Sequence, residues 1–183
     1  MKDKKTNIVV ASGVKRILAY VIDWYLGFMF GCLPILYLSN VINQKTTVDF
    51  SLSQFSGQMM YVVLFLALLF SIFYYFVVPT FIYRGQTIGK RMLKIRVVGE
   101  NGNCLSIKQS FIRQVIGVMI LESSFMLSGN LICEVIGIVV NPLIGDILSY
   151  VFLGLFVISL ILVYKKNRSL HDLFVKSIVI ENK

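Results

Sequence analysis

Four ionisable residues stand where a strongly apolar chain has least use for them: Arg16, Asp23, Glu122 and Asp172. Arg16 and Asp23 bracket the segment Arg16-Ile-Leu-Ala-Tyr-Val-Ile-Asp23 at the head of the first long apolar run. Seven residues apart on a helix, they share one face about two turns apart, on a stripe roughly 10 Å long. A carboxylate at the depth of Asp23 costs about 2.5–3.5 kcal/mol to insert, and it is expected to face a partner or a wet cavity. Desolvation moves such a carboxyl toward neutrality, so the chemistry on offer is the binding of a proton or a cation. The plainer reading is a packing contact between helices, worth on average about 0.6 kcal/mol. The residues alone leave these two readings level.

Glu122 is the second acid of interest. If its segment spans a membrane, two acids on different helices could hold one cation or exchange protons; if it lies at the interface, Glu122 is solvated. Arg16 suits an interfacial anchor whose stem lies along apolar surface while its head reaches water. Asp172 is the carboxylate expected to pair with it, in a contact more architectural than chemical. Glu134 and Asp146 are expected at or outside the far interface.

Other chemistries are poorly served. His171, the one histidine, and Cys104 could in principle form a thiol–imidazole couple, but no third group orients them. Beside Asp172, His171 is more simply a polar interfacial residue. Cys32, Cys104 and Cys133 form neither an even set nor a CxxC pair, so no disulfide framework or metal site is expected. Gly85-Gln-Thr-Ile-Gly89-Lys90-Arg91 is one residue short of a phosphate loop and has Arg91 where the magnesium-binding hydroxyl belongs. No enzymatic activity and no cofactor are expected.

The elements that must position these residues are membrane helices. Apolar residues make up 57% of the 183 and charged residues only 15%, against roughly 45–50% and about 25% in a soluble domain. Ile17–Leu38 holds 22 residues with Asp23 as its only full charge; it is too long for a cleaved secretory signal and ends in Pro34 and Tyr37 without a small-residue cleavage site. Met59–Ile82 has no charge, and Ile147–Tyr164 is an uncharged run of 18, long enough to cross the hydrocarbon core. Between them, a third crossing is expected over 112–130, in preference to one helix from about 114 to 135 with an acid buried inside it. Ser128-Gly129-Asn130 is read as its interruption, with an amphipathic or re-entrant piece beyond it. The basic middle stretch 84–109 carries Lys94–Val98 and Cys104–Ile107 about an Asn-Gly turn, which reads as a small β-hairpin.

The net charge is +9, with 18 Lys and Arg residues. Only Lys45 falls in a segment expected outside; the other 17 lie in or beside the N-terminal tail, the middle loop and the C-terminal tail 165–183. That asymmetry places both termini in the cytoplasm. Cations that flank apolar runs argue against nucleic acid as a partner and for the bilayer itself. Lys90, Arg91, Lys94 and Arg96 are expected to meet anionic lipid headgroups at about 1 kcal/mol each.

With these residues in place, the chain resembles the RDD family of prokaryotic membrane proteins, named for an arginine and two aspartates. Arg16 and Asp23 match the first two. Asp172 within Arg168-Ser-Leu-His-Asp172-Leu-Phe-Val-Lys-Ser-Ile-Val-Ile180 matches the third, and Arg84–Arg91 followed by Lys94–Val98 is similar to the family's middle loop. The pattern departs at Lys176-Ser177, where family members more often have a small residue and threonine. What the resemblance implies about activity is thin: transport, with sodium–proton exchange proposed for some members.

The reading of the whole is an all-α membrane protein, a single domain over 1–183. It has four transmembrane helices (17–38, 59–82, 112–130, 147–164) in the cytoplasmic membrane and a small basic cytoplasmic loop. Its expected activity is that of a small transporter in which Asp23, assisted by Glu122, handles a cation or proton, while Arg16 and Asp172 form a cytoplasmic clamp. The alternative is a membrane adaptor, regulator or resistance protein in which the same residues only hold the fold. A second copy or another membrane protein is the expected partner.

Overall fold

The computed structural model describes residues 9–43 and 49–182; Lys2, Lys4, Lys5 and Lys45 lie outside them. In chain order come α1 (Gly13–Asn43), a short 3₁₀ turn (Leu52–Gln54), and α2 (Gln58–Ile72), which continues as a π-helix over Phe73–Ile82. Then follow α3 (Ile88–Met92), β1 (Ile95–Gly99), and α4 (Ile107–Phe111), which also continues as a π-helix, over Ile112–Leu121. The chain ends with α5 (Leu127–Val139), α6 (Pro142–Lys166), α7 (Leu170–Phe174) and β2 (Ser177–Glu181).

Three helices among the described residues are long and apolar enough to cross a membrane: 13–42, 58–82 and 142–166. Each outruns its expected limits. α6 begins early because Pro142, whose fixed φ suits the first helical position, follows Asn141, whose side chain accepts from the N–H of Leu143 at 2.8 Å. It ends at Asn167 in a left-handed conformation, φ +51°.

The expected third crossing over 112–130 is not one helix. The π-helix stops at Glu122, whose N–H reaches the carbonyl of Gly117 at 2.9 Å. A 3₁₀ turn over Ser123–Phe125 follows, and α5 then starts afresh. Ser128-Gly129-Asn130, read as the interruption, is instead the opening of α5. The break falls earlier because lateral bonds hold the chain there. The indole N–H of Trp24 donates to the carbonyl of Phe125, and the Ser128 hydroxyl donates to that of Met119 at 3.1 Å.

The expected hairpin is also corrected. Lys94–Val98 does supply a strand, but Cys104–Ile107 is not its partner. Ser106 instead caps α4, its hydroxyl accepting from the N–H of Gln109 at 3.3 Å while Gln109 accepts from the Ser106 N–H at 3.1 Å. β1 pairs antiparallel with β2 from the C-terminal tail, Ile95 opposite Glu181 and Gly99 opposite Ser177. The other edge of β2 takes Val9–Ala11: Ala11 N–H donates to Val179 at 2.9 Å and Glu181 N–H to Val9 at 2.9 Å. The N-terminal segment, the middle stretch and the tail therefore meet in one small sheet. Ile95, Val97 and Val179 pack beneath it with Ala11 and against Ala19 of α1, each large side chain contributing about 1.5–3 kcal/mol. At the other end of the bundle, Cys32, Ile35, Leu52, Val63 and Leu131 form a second cluster; between the two lies a third, of Tyr74, Tyr75, Val118, Met119 and Met126.

Candidate functional site

The carboxylate of Asp172 is fully buried, at 0% exposure, and receives donors from four parts of the chain. Arg113 gives Nε at 3.0 Å and Nη2 at 2.8 Å to Oδ1, and the Ser177 hydroxyl gives a third bond there at 2.9 Å. Arg16 donates Nη2 to Oδ2, where Ser169 adds its hydroxyl at 2.8 Å and its N–H at 3.3 Å. Arg16 Nη1 also donates to the carbonyl of Asn167, so one guanidinium ties α1 to the end of α6 and to α7. Burial alone would raise the Asp172 carboxyl; Arg113, His171 and Arg16 outweigh it and hold the group well below the usual carboxylate range.

Asp23, 3% exposed, is held as tightly by neutral donors. Tyr74 donates to Oδ1 at 2.8 Å, the N–H of Gly89 to the same oxygen at 2.8 Å, and Thr87 to Oδ2. Lys90 Nζ stands 3.7 Å from Oδ2. This arrangement needs the bare backbone of Gly89, since a Cβ there would lie 2.5 Å from the carbonyl oxygen of Ala19 and 2.9 Å from the Asp23 carboxylate. Burial pushes the Lys90 ammonium below its usual range against the pull of Asp23.

Glu122 is buried too, at 4% exposure, and not solvated at an interface. Its Oε1 accepts from the Ser159 hydroxyl at 2.7 Å and from the N–H of His171 at 3.4 Å, with His171 Nδ1 2.9 Å away but not aligned as a hydrogen bond. The other ring nitrogen, Nε2, meets the Ser169 hydroxyl at 2.8 Å. Gly117 lets α7 approach, for a Cβ there would meet the Cβ of His171 at 2.4 Å.

These three centres surround one cavity of about 80 Å³, walled by Arg16, Asp23, Lys90, Arg113, Glu122 and His171 and closed on its apolar side by residues such as Phe156 and Val118. A cavity needs roughly 10–15 Å³ in this measure to admit a water, so this one admits several small species. Nη1 of Arg113 and Oη of Tyr20, on residues that line it, have no partner among the described residues. Such an unmade bond costs about 1–3 kcal/mol unless something in the cavity meets it.

The four charged residues singled out in the sequence thus fall in or against one site. Arg16 pairs with Asp172 as expected, and Asp23 and Glu122 face one cavity without sharing a ligand group. Among the described residues no cluster of three or more His, Cys, Asp and Glu side chains is placed to hold a metal ion. Of the four cations expected at lipid headgroups, Lys90 is turned inward by Asp23, whereas Arg91 and Lys94 are exposed. Arg91 stacks over the Tyr83 ring at 4.2 Å, and the half-buried Arg96 donates to the carbonyl of Arg84 at 3.0 Å. Cys104 is exposed beside Arg96, and His171 is buried with Ser169 and Glu122. Glu134 accepts from the N–H groups of Leu52 and Ser53 at 2.9 and 3.1 Å, capping the 3₁₀ turn, and Asp146 is exposed.

Sequence reasoning missed Arg113, the most buried cation of the site at 2% exposure. Its position one residue inside an apolar run was the available signal. It also gave no weight to Lys176-Ser177, where the structure uses the Ser177 hydroxyl on Asp172 and sets Lys176 at φ +52°.

The sequence model of the RDD family matches residues 10–176. No curated protein and no solved structure gave a match.

Proposed function

We propose that this chain, which belongs to the RDD family of membrane proteins, is a small transporter that handles a proton or a cation through the cavity between α1, the π-helix 112–121 and α7. The observation that carries this reading is that one cavity is lined by two carboxylates, Asp23 and Glu122, each beside a titratable partner, Lys90 or His171. Ionisable groups among membrane helices are rare and mark ion or proton pathways. The two acids differ in readiness. Asp23 already has three fixed neutral donors, while Glu122 depends on Ser159 and on His171, a side chain that can itself take or release a proton. Glu122 is accordingly the loading group and Asp23 the member that anchors α3 to α1.

Four crossings suit the contacts, with 107–121 and 127–139 together making the third in two pieces. The sheet that joins both terminal segments then lies on the cytoplasmic face of the cytoplasmic membrane, in keeping with the cation distribution. Arg91 and Lys94 meet anionic headgroups there, and a second copy or another membrane protein covers part of the apolar helix surface.

Ion flux into proteoliposomes, driven in turn by a pH gradient, a potential, and sodium or potassium gradients, tests the reading. Flux is expected in the native protein, with loss in Glu122→Gln that still folds. Flux that is absent under every gradient, or equal in the variant, overturns it. One observation favours a second reading, a non-transporting adaptor: Arg16, Asp23 and Asp172 are all committed to fixed contacts within the fold. An adaptor would show no flux and would retain a co-purifying membrane partner in Glu122→Gln.

A further inference from the structure

The wall of the cavity offers more donors than the protein satisfies. Nη1 of Arg113, on a side chain 2% exposed, and Oη of Tyr20 have no partner among the described residues. Neighbouring acceptors are already engaged: Asp172 by Arg113, Arg16, Ser169 and Ser177, Asp23 by Tyr74, Thr87 and Gly89, and Glu122 by Ser159 and His171. Arg16, Lys90 and Arg113 line the cavity with Asp23 and Glu122, while Asp172, which both guanidinium groups hold, is not among its lining residues.

We infer that this cavity binds a small monovalent anion of the size of chloride, held by Arg113 Nη1 and the Tyr20 hydroxyl. Unpartnered N–H and O–H groups call for an acceptor, and both groups line the same cavity, where a bond from the guanidinium to an anion is charge-assisted. A bare cation would have to approach those same hydrogens, so the proton or cation of the transport reading belongs with the Glu122 carboxylate. The volume of about 80 Å³ takes a halide with a few waters. The inference stands whether or not the protein moves a cation.

Thermal unfolding of the full-length protein in detergent tests it, with sodium chloride or bromide titrated against sodium gluconate at constant ionic strength. A ligand that binds only the folded state raises the unfolding temperature along a saturating curve. Chloride and bromide are expected to do so and gluconate is not. Tyr20→Phe removes a hydroxyl with no bond to the protein, so its unfolding temperature in gluconate should match that of the native chain. Its apparent halide dissociation constant should rise by about tenfold or more, the loss expected for a hydrogen bond to a charged group. A halide effect that is absent, that climbs without saturating, or that is unchanged in Tyr20→Phe overturns the inference and leaves water as the partner of these donors.

Discussion

Arg113 and Asp172, 59 residues apart in the chain, form a buried pair in which Nε and Nη2 both reach one carboxylate oxygen, at 3.0 and 2.8 Å. The π-helix over 112–121 brings the arginine and α7 the aspartate, so the pair fixes the tail against the bundle. Removing one partner of such a pair leaves an uncompensated buried charge, at a cost of about 3–5 kcal/mol. Asp172→Asn is therefore expected to lower stability by that much, more than any substitution at an exposed cation such as Lys94. Denaturant or thermal unfolding in detergent, followed through Trp24, gives the comparison; a loss below about 1 kcal/mol would refute the assignment.

The same carboxylate sets an acid limit. Its folded pKa lies well below the ordinary value, because the arginines and His171 outweigh the desolvation that would raise it. A depressed carboxyl contributes stability that is fully present above its unfolded pKa, about 3.9, and is lost as pH falls toward the folded value. The stability this group contributes should therefore stay constant between pH 5 and 8 and should fall below about pH 4. In Asp172→Asn the fall should be shallower. Unfolding temperatures of the two proteins across that range check the difference in slope.

Two glycines make close approaches that a methyl group cannot share. At Gly89 an added Cβ would press on the Ala19 carbonyl and the Asp23 carboxylate, and at Gly117 on the backbone-proximal Cβ of His171. Neither contact is the far end of a flexible side chain, so the segments must separate. Each Gly→Ala change is expected to destabilise by about 1–3 kcal/mol, the ordinary cost of overpacking. Gly154→Ala, where an added Cβ meets nothing within 4 Å, should be neutral or slightly stabilising, since alanine favours the helix. Parallel unfolding of the three variants tests the contrast.

How far the sequence spoke depended on the range of the interaction. The long apolar helices were legible because hydrophobicity and length are local properties, and the Arg16–Asp172 contact because charges in apolar surroundings need counter-ions. The partner of β1 was not legible. Alternation in Lys94–Val98 marks a strand, but nothing near it says that the matching edge lies some eighty residues on, in the tail. Nor did Glu122 announce that it ends a helix. That break depends on Ser159, His171 and Trp24, which meet the 117–128 segment only in the folded chain. Lys90 looked like its basic neighbours, and only the turn at Thr87–Gly89 aims it at Asp23.

The three cysteines differ in access. Cys104 is exposed in the segment between β1 and α4, whereas Cys32 and Cys133 are buried at 2% and 6% exposure within the bundle. A membrane-impermeant maleimide is expected to label one thiol per chain in the folded protein and three after denaturation. Cys104→Ser should abolish the folded-state signal. On the proposed orientation, intact cells would resist the reagent and inverted vesicles would react; labelling of intact cells would place the sheet on the outside.

Asp23 is the sharper case, because its charged partner matters less than its neutral ones. Lys90 stands 3.7 Å away, beyond hydrogen-bond length, and burial pushes its ammonium toward the uncharged form. Tyr74 and Gly89 both donate at 2.8 Å. A cation 3.7 Å away that burial pushes toward its uncharged form leaves little charge to lose on removal, whereas deleting a hydrogen bond to a buried carboxylate costs about 1.5–3 kcal/mol. Lys90→Met should therefore change stability by less than about 1 kcal/mol, and Tyr74→Phe should cost more. If unfolding measurements returned the opposite order, the ion pair rather than the hydrogen bonds would hold α3 against α1, and Asp23 would be a charge partner first and an anchor second.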